Sequence, residues 1–179
     1  MKVIISPAKS LDFETKIETN LFTKPRFLKQ SEILNKKLKQ LSRKELSELM
    51  KISDNLASLN YERNQTWETP FTSENSRQAI YSFNGEVFRG IDVKSLEDKK
   101  LPLLQDRLRI LSGLYGILKP LDLIQPYRLE MGTRLKVEKK DNLYKFWDTT
   151  LAESLNEELE EGELLINLAS SEYFKVIPK

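Results

Sequence analysis

Two short apolar runs, one near each end of the chain, predict β-strands. The first, Lys2 to Ile5 (KVII), is β-branched and is stopped by Ser6-Pro7, as expected for a buried strand that ends in a turn. The second, Leu164 to Ala169 (LLINLA), follows a helical segment that Gly162 closes. Together with the helical segments between them, these runs predict a mixed α/β (α+β) fold with a mixed β-sheet core.

Three amphipathic segments predict an N-terminal helical layer. Ser31 to Leu41 places its leucine and isoleucine side chains on one helical face and its lysines elsewhere. Ser42 and Glu45 fit a capping box at the start of a second helix. Ser53 is expected to cap a third, short helix, after which Asn60 to Thr72 (NYERNQTWETPFT) is interpreted as an aromatic loop.

The segment Arg107 to Leu135 (RLRILSGLYGILKPLDLIQPYRLEMGTRL) concentrates glycine, proline, tyrosine and basic residues. Its first part has two interpretations that periodicity does not separate. Either Arg107 to Ile110 alternates as a strand and LSGLYG is a turn, or Leu101 to Leu111 is a helix. In the second case Ser112 to Gly116 is the hairpin of a helix–hairpin–helix, whose backbone N–H groups would bind a phosphate.

The second part of that segment, Tyr127 to Val137 (YRLEMGTRLKV), alternates between apolar and polar positions. The turn chemistry at Met131-Gly132 predicts a β-hairpin with Arg128, Glu130 and Arg134 on one side. Grouped guanidinium and carboxylate side chains indicate either a binding surface or a structural ion pair.

The composition limits the chemistry that the chain supports. At 179 residues, 39% hydrophobic and 31% charged, residues 1–179 are expected to form a single globular domain. The chain contains no cysteine and no histidine, which excludes disulfides, thiol peroxidase chemistry, iron–sulfur clusters and Cys/His zinc sites. Catalysis would have to use lysine, tyrosine, serine, threonine or carboxylates. We predict no cofactor and no metal site.

The distribution of apolar residues also bears on location. No apolar run approaches the roughly 18 residues that a membrane span needs. The N-terminus, MKVIISPAKS, has too short an apolar run for a secretory signal. We therefore predict a cytoplasmic protein without a membrane partner.

Four stretches, SPAKSLDF, LSGLYGILKPLDLIQPYRLEMGTRL, LYKFW and NLASSEYFK, resemble the YaaA family of bacterial peroxide-stress proteins, and the resemblance runs from Met1 to Lys179. It implies a cytoplasmic protein that limits hydrogen peroxide damage and is associated with lowering free intracellular iron. It also implies a mixed α/β fold with a positively charged cleft, a helix–hairpin–helix-like element matched by position to LSGLYG, and binding of double-stranded DNA. Family chains continue into a further basic region, so we expect this chain to be a fragment without the C-terminal part.

The leading hypothesis is a stress protein that binds double-stranded or distorted DNA without catalysis. Ligands of open α/β sheets bind beyond the carboxyl ends of strands, which makes Lys9, just after KVII, a candidate phosphate ligand. The backbone of Gly113 and Gly116 would add hydrogen bonds, and Tyr115 and Tyr127 would stack on an unpaired base. The basic side chains predicted to line one cleft and neutralise phosphates are Lys9, Arg107, Arg109, Lys119, Arg128 and Arg134.

Two other hypotheses remain open. In the first, the protein is an enzyme that acts on nucleobases or nucleotides, with Lys9 as an amine or phosphate ligand and a set of polar partners. Those partners would be Asp12, Tyr127, Arg128 and Glu130. In the second, LSGLYG is a packing turn, Arg128 and Glu130 form a structural ion pair, and function lies outside these residues.

Overall fold

The structure is a computed structural model that describes residues 1–177. The strands are β1 (Lys2–Ile5), β2 (Ser10–Leu11), β3 (Arg77–Gln78), β4 (Phe83–Asn84), β5 (Leu108–Ser112), β6 (Gly116–Leu118), β7 (Leu123–Ile124) and β8 (Leu165–Asn167). The helices are α1 (Leu28–Lys39), α2 (Arg43–Met50), α3 (Asp54–Thr66), α4 (Ala79–Ser82), α5 (Glu86–Ile91), α6 (Leu101–Arg107), α7 (Leu143–Trp147), α8 (Thr150–Glu158) and α9 (Ser171–Phe174). Val93–Ser95 and Asp98–Lys100 are 3-10 turns.

A four-stranded mixed sheet with the order β6-β5-β1-β8 organises the fold. Both predicted strands belong to it, and β1 lies between β5 and β8, parallel to each. The three parallel strands end at Ile5, Ser112 and Asn167, and we call this side of the sheet the carboxyl edge. The opposite side, where they begin, is the amino edge. Strands of this length separate the two edges by about 13–16 Å.

The segment around LSGLYG is a β-hairpin, so the strand interpretation is confirmed and the helix–hairpin–helix element is wrong. Helix α6 ends at Arg107, and all five residues of β5 are buried. β5 pairs with β1 on one side and antiparallel with β6 on the other. In a strand that lies between two others, the backbone N–H and C=O groups are hydrogen-bonded even in the interior. A short apolar run is therefore favoured to form a strand there.

The N-terminal helical layer is confirmed, with α1 and α2 both packed against α3. The capping box is also confirmed, because the Ser42 hydroxyl accepts from the backbone N–H of Glu45 and the Glu45 carboxylate accepts from that of Ser42, at 2.8 Å. The aromatic loop predicted from Asn60 is wrong in its first half, since α3 continues to Thr66. Its inner face carries Asn60 and Asn64, both buried, and buried asparagines conceal an amphipathic pattern.

The hairpin predicted for residues 127–137 is wrong. The segment is extended, and its apolar side chains are buried as the alternation requires, but its two halves do not pair with each other in the described part of the chain. The turn at Met131-Gly132 is present, and the backbone N–H of Thr133 donates to the carbonyl of Glu130 at 3.0 Å. The segment packs on the core instead of on itself.

One hydrophobic cluster joins the sheet to the surrounding helices. Its most buried large members include Ile4, Leu34, Ile110, Tyr115 and Trp147, which come from the sheet, the helical layer and α7. Within residues 1–177 no helix is both long enough and apolar enough to cross a membrane.

Candidate functional site

The carboxyl edge is covered by residues 127–130, and a glycine makes this possible. Gly113 follows β5 directly, and a Cβ at this position would overlap the carbonyl oxygen of Leu129. Because glycine has no side chain, the segment crosses the end of the sheet in direct backbone contact. It lies there beside Lys9, in a concavity that Ala8 and Tyr173 also line.

A chain of charges runs along this segment. Lys9 Nζ lies 3.0 Å from one carboxylate oxygen of Glu130, and Arg128 Nη2 donates to the other at 2.9 Å. The Lys9 side chain is 67% exposed, whereas that of Arg128 is 16% exposed. The Nε of Arg128 is buried and has no hydrogen-bond partner. A buried donor without a partner costs about 1–3 kcal/mol, which makes this nitrogen a candidate ligand-binding atom.

Arg63 is a cation that sequence reasoning missed. It lies on α3, is half-buried, and has a single long hydrogen bond from Nη1 to the Asn60 side-chain oxygen at 3.4 Å. Burial, followed by the nearby charge of Arg128, lowers the pKa of Arg63. Arg63 forms no ion pair with any residue in the described range. Only its helical spacing to the buried Trp67 signals an inward side chain, and that signal was hidden by the predicted loop.

Tyr115 and Tyr127 lie inside the core and do not stack on a ligand. Their exposed fractions are 0% and 6%. The Tyr127 and Ser112 hydroxyls are 2.6 Å apart, and the Tyr115 oxygen accepts from Trp67 Nε1 at 2.9 Å. Burial raises the pKa of both phenols above the ordinary value. The predicted stacking is therefore wrong, and Tyr127 is a poor candidate for acid–base catalysis.

The backbone of the turn between β5 and β6 is not open to phosphate. Gly113 and Gly116 are buried, and Gly116 has φ +71° and packs against Trp147. The Trp147 indole donates to the carbonyl of Gly113 at 3.0 Å, and the Ser112 hydroxyl accepts from the N–H of Tyr115 at 3.0 Å. The predicted phosphate-binding role of these glycines is replaced by packing.

The amino edge contains three of the predicted cleft residues. Arg107 ends α6 directly before β5, and Arg109 is the second residue of β5. Lys119 follows the antiparallel β6, which brings it to the same edge. Arg109 is 2% exposed and forms an ion pair with Glu158, while Arg107 Nε lies 3.0 Å from Asp106. These cations therefore face away from Lys9 and Arg128, and the prediction of one cleft is wrong.

The remaining candidates are also separate from the Lys9 concavity. Arg134 is exposed after the turn at Gly132 and does not line it. Asp12 accepts from the Thr15 hydroxyl at 2.6 Å and lies 3.5 Å from Lys94. Hydrogen bonds from Thr15 hold the pKa of Asp12 well below its usual range, as expected for a turn-stabilising carboxylate. Glu130 is the candidate carboxylate that lies beside Lys9.

Across residues 1–177, no group of three or more acidic side chains is arranged to hold a metal ion.

Comparisons with known proteins agree with the resemblance of the four stretches. A family model described as peroxide stress protein YaaA matches residues 1–179. UPF0246 proteins of Flavobacterium psychrophilum and Flavobacterium johnsoniae are 59% and 55% identical over 177 residues, and one of Hahella chejuensis is 55% identical over 179. Each alignment covers 99% of this chain and 70% of the relative, so the chain spans about seven tenths of the length of these relatives. With the match extending over its whole length, the chain belongs to the YaaA family of peroxide stress proteins.

Proposed function

We propose that this peroxide-stress protein acts in the cytoplasm by binding duplex or distorted DNA, and that an exposed basic ridge supplies the main contact. The ridge consists of Arg134, Lys136 and Lys139, which follow the turn at Gly132. Lys9, exposed at the carboxyl edge, is proposed as an additional phosphate ligand.

The observation that supports this proposal is the alternation of buried and exposed side chains along residues 133–137. Thr133, Leu135 and Val137 are buried, so Arg134 and Lys136 both point outward from one extended segment. Outward side chains two residues apart are separated by about 7 Å along such a segment. The ridge cations have no carboxylate partner among residues 1–177. Unpaired surface cations in a row suit a polyanion, and each phosphate contact releases counterions.

The same mechanism connects DNA binding to iron and peroxide damage. Metal cations are part of the counterion atmosphere that phosphates hold, and a protein that neutralises phosphates displaces them. A bound protein would therefore keep iron away from the DNA, where its reaction with peroxide does harm. No iron site on the protein is needed for this effect.

The proposal is tested by titrating a fluorescent duplex at about 50 and 200 mM salt, where counterion release is measurable. Arg134→Ala/Lys136→Ala should weaken binding about tenfold at the lower salt and reduce the salt slope by about 1.8. The matched control is Lys36→Ala/Lys39→Ala, which removes the same charge from the exposed face of α1. Equal weakening by the control would reject the ridge, and failure of the wild type to bind at low salt would reject the function.

A second candidate function, an enzyme acting on nucleobases or nucleotides, is favoured by one observation. Lys9, Glu130 and Arg128 are joined at the carboxyl edge, the side where α/β sheets bind ligands. A nucleophilic amine must be neutral, whereas Lys9 is held in an ion pair, so we rank this function second. Borohydride trapping on an abasic-site oligonucleotide decides it: an adduct that Lys9→Gln abolishes supports the enzyme, and no adduct rejects Schiff-base chemistry.

A further inference from the structure

We propose that a cavity at the amino edge binds a small organic carboxylate with an aromatic or branched body. The cavity has a volume of about 550 Å³ and lies between the segment that precedes α1, the end of β6, helix α6 and helix α8. This volume falls in the range of about 300–1,000 Å³ that is typical of small-molecule sites. The cavity is separate from both the Lys9 concavity and the basic ridge.

One wall of the cavity is held in place by hydrogen bonds. The Asp122 carboxylate accepts from the Thr23 hydroxyl at 2.6 Å and from the backbone N–H of Lys119 at 2.8 Å. The Thr23 hydroxyl accepts in turn from Gln105 Nε2 at 3.0 Å, which ties α6 to the same wall. Because these groups are already bonded to one another, the wall is preformed, and a ligand does not have to order it.

Two apolar side chains, Phe27 and Ile117, also line the cavity. They are 6% and 5% exposed, and both belong to the hydrophobic cluster, so packing fixes their positions. The Phe27 ring meets the ring of Trp147 edge-on, with centroids 5.6 Å apart. A ligand with an aryl or branched alkyl body would cover this apolar surface, which favours an organic ligand over a simple inorganic ion.

Ser154, on α8, contributes a hydroxyl without a partner. The residue lines the cavity and is 3% exposed, and its Oγ is buried without a hydrogen bond to any residue in the described part of the chain. A buried hydroxyl in this state destabilises the empty protein. A staggered rotamer that turns Oγ toward the cavity would let it donate to a ligand oxygen.

Two of the charged side chains around the cavity are already neutralised. Arg26 forms an ion pair with Glu157, and Glu158 forms one with Arg109. The charges in these two pairs cancel, so the charge that a ligand meets is set by the other side chains of the cavity.

The remaining charges favour a monoanion. Lys24 and Lys119 line the cavity and form no ion pair with any carboxylate among residues 1–177. Burial raises the pKa of Asp122 to about 6, so this carboxyl group is ionised at pH 7.5. Two cations and one carboxylate leave one positive charge. A single ligand carboxylate neutralises it, whereas a phosphate dianion would exceed it.

The test measures the binding of benzoate to the protein at pH 7.5 by calorimetry. Benzoate should bind with a Kd in the low millimolar range or below. Benzamide has the same ring without the charge, and acetate has the charge without the ring, so each should bind at least about tenfold more weakly. Inorganic phosphate should also bind more weakly than benzoate, because it matches neither the charge nor the apolar surface.

Two variants test the residues that would contact the ligand. Lys119→Gln should raise the Kd of benzoate about tenfold, because it removes one of the two unpaired cations and keeps the backbone N–H that bonds to Asp122. Ser154→Ala should raise the Kd about fivefold, the loss expected for one hydrogen bond. Without benzoate, urea denaturation should find Ser154→Ala as stable as the wild type or more stable. A serine with only a structural role would show lost stability and an unchanged Kd.

Lys44→Gln is the matched control, because Lys44 is an exposed lysine on α2 that does not line the cavity. It should keep the Kd of the wild type. The absence of benzoate binding up to about 10 mM, equal affinity for benzamide, or equal weakening by Lys44→Gln would overturn the site. Tighter binding of phosphate than of benzoate would overturn the assignment to a carboxylate.

The outcome is distinguishable from that of the DNA proposal. The ridge variant Arg134→Ala/Lys136→Ala should bind benzoate as the wild type does, whatever its affinity for the duplex. Loss of benzoate binding in the ridge variant would contradict the separation of the cavity from the ridge.

Discussion

Both edges of the central sheet carry cations, but they differ in how these are neutralised. At the amino edge, Lys2 pairs with Asp106 at 2.7 Å and Arg109 pairs with Glu158. At the carboxyl edge, Arg128 and Lys9 share the single carboxylate of Glu130. Lys2 and Arg107 also share one carboxylate, that of Asp106, so the edges differ in Arg109, a buried guanidinium with a carboxylate partner of its own.

This difference shows why a count of basic residues is a poor guide to a binding site. Arg109 lies in a strand of the sheet, but its charge is neutralised by the ion pair with Glu158. Arg63 is half-buried on α3, although the sequence pattern predicted a loop at this position. The quantity that matters is the number of donors and charges that remain after folding.

The largest expected effect breaks the network at the amino edge. Glu158→Ala leaves the buried Arg109 guanidinium without its carboxylate, which should lower the free energy of unfolding by about 3–5 kcal/mol. Urea denaturation measures this change. The neighbouring Glu157→Ala is the control, because Glu157 and its partner Arg26 are 63% and 48% exposed. The control should cost less than about 1 kcal/mol, and equal costs would contradict the assignment of a structural pair.

A second substitution disturbs the carboxyl edge through its backbone. Gly113→Ala places a methyl group against the carbonyl of Leu129 and should cost about 2–3 kcal/mol. Gly90→Ala in α5 is the control, since a Cβ there meets nothing within 4 Å. That variant should be about 0.5–1 kcal/mol more stable, and destabilisation by both alanines would point to a general effect.

A pH titration tests the raised pKa of Asp122, a buried carboxyl group at the amino edge. Burial raises the pKa of Asp122 to about 6, from 3.8 in the unfolded chain. The folded state therefore binds more protons than the unfolded state between these values, so stability should fall as pH rises from about 4 to about 6. Asp122→Asn removes this loss. Its stability relative to the wild type should rise by about 2 kcal/mol between pH 4 and pH 8 in urea denaturation, and a constant difference would contradict the shift.

The smallest expected effect comes from the exposed part of the amino-edge network. Asp106→Asn weakens the contact with Lys2, whose Nζ keeps its hydrogen bond to the Asp106 carbonyl at 3.0 Å. The Asp106 side chain is 54% exposed and that of Lys2 is 8% exposed, and the asparagine oxygen can still accept, so the change should be about 1 kcal/mol. Duplex binding should not change. A measurable loss would place function at the amino edge.

Several local features could be predicted because their causes are local. The run at Lys2–Ile5 forms β1, and Ser42 with Glu45 forms a capping box, since both depend on side chains a few residues apart. Lys9 was placed at a strand end, and Lys9, Arg128 and Glu130 do meet. The hairpin at residues 127–137 failed for the opposite reason, because its alternation reflects burial against the core and not pairing of its halves.

The sequence by itself determined the short strands, the helix starts and, through its resemblance, the family. Only the tertiary structure decided which cations share a surface. A strand of five residues carries Arg109 and the end of β5 to opposite edges of the sheet, although they are close in sequence. The hydrogen bond from Trp67 to Tyr115 joins the end of α3 to the β5–β6 turn, which is distant in sequence. Charges act through space and burial, and the fold sets both.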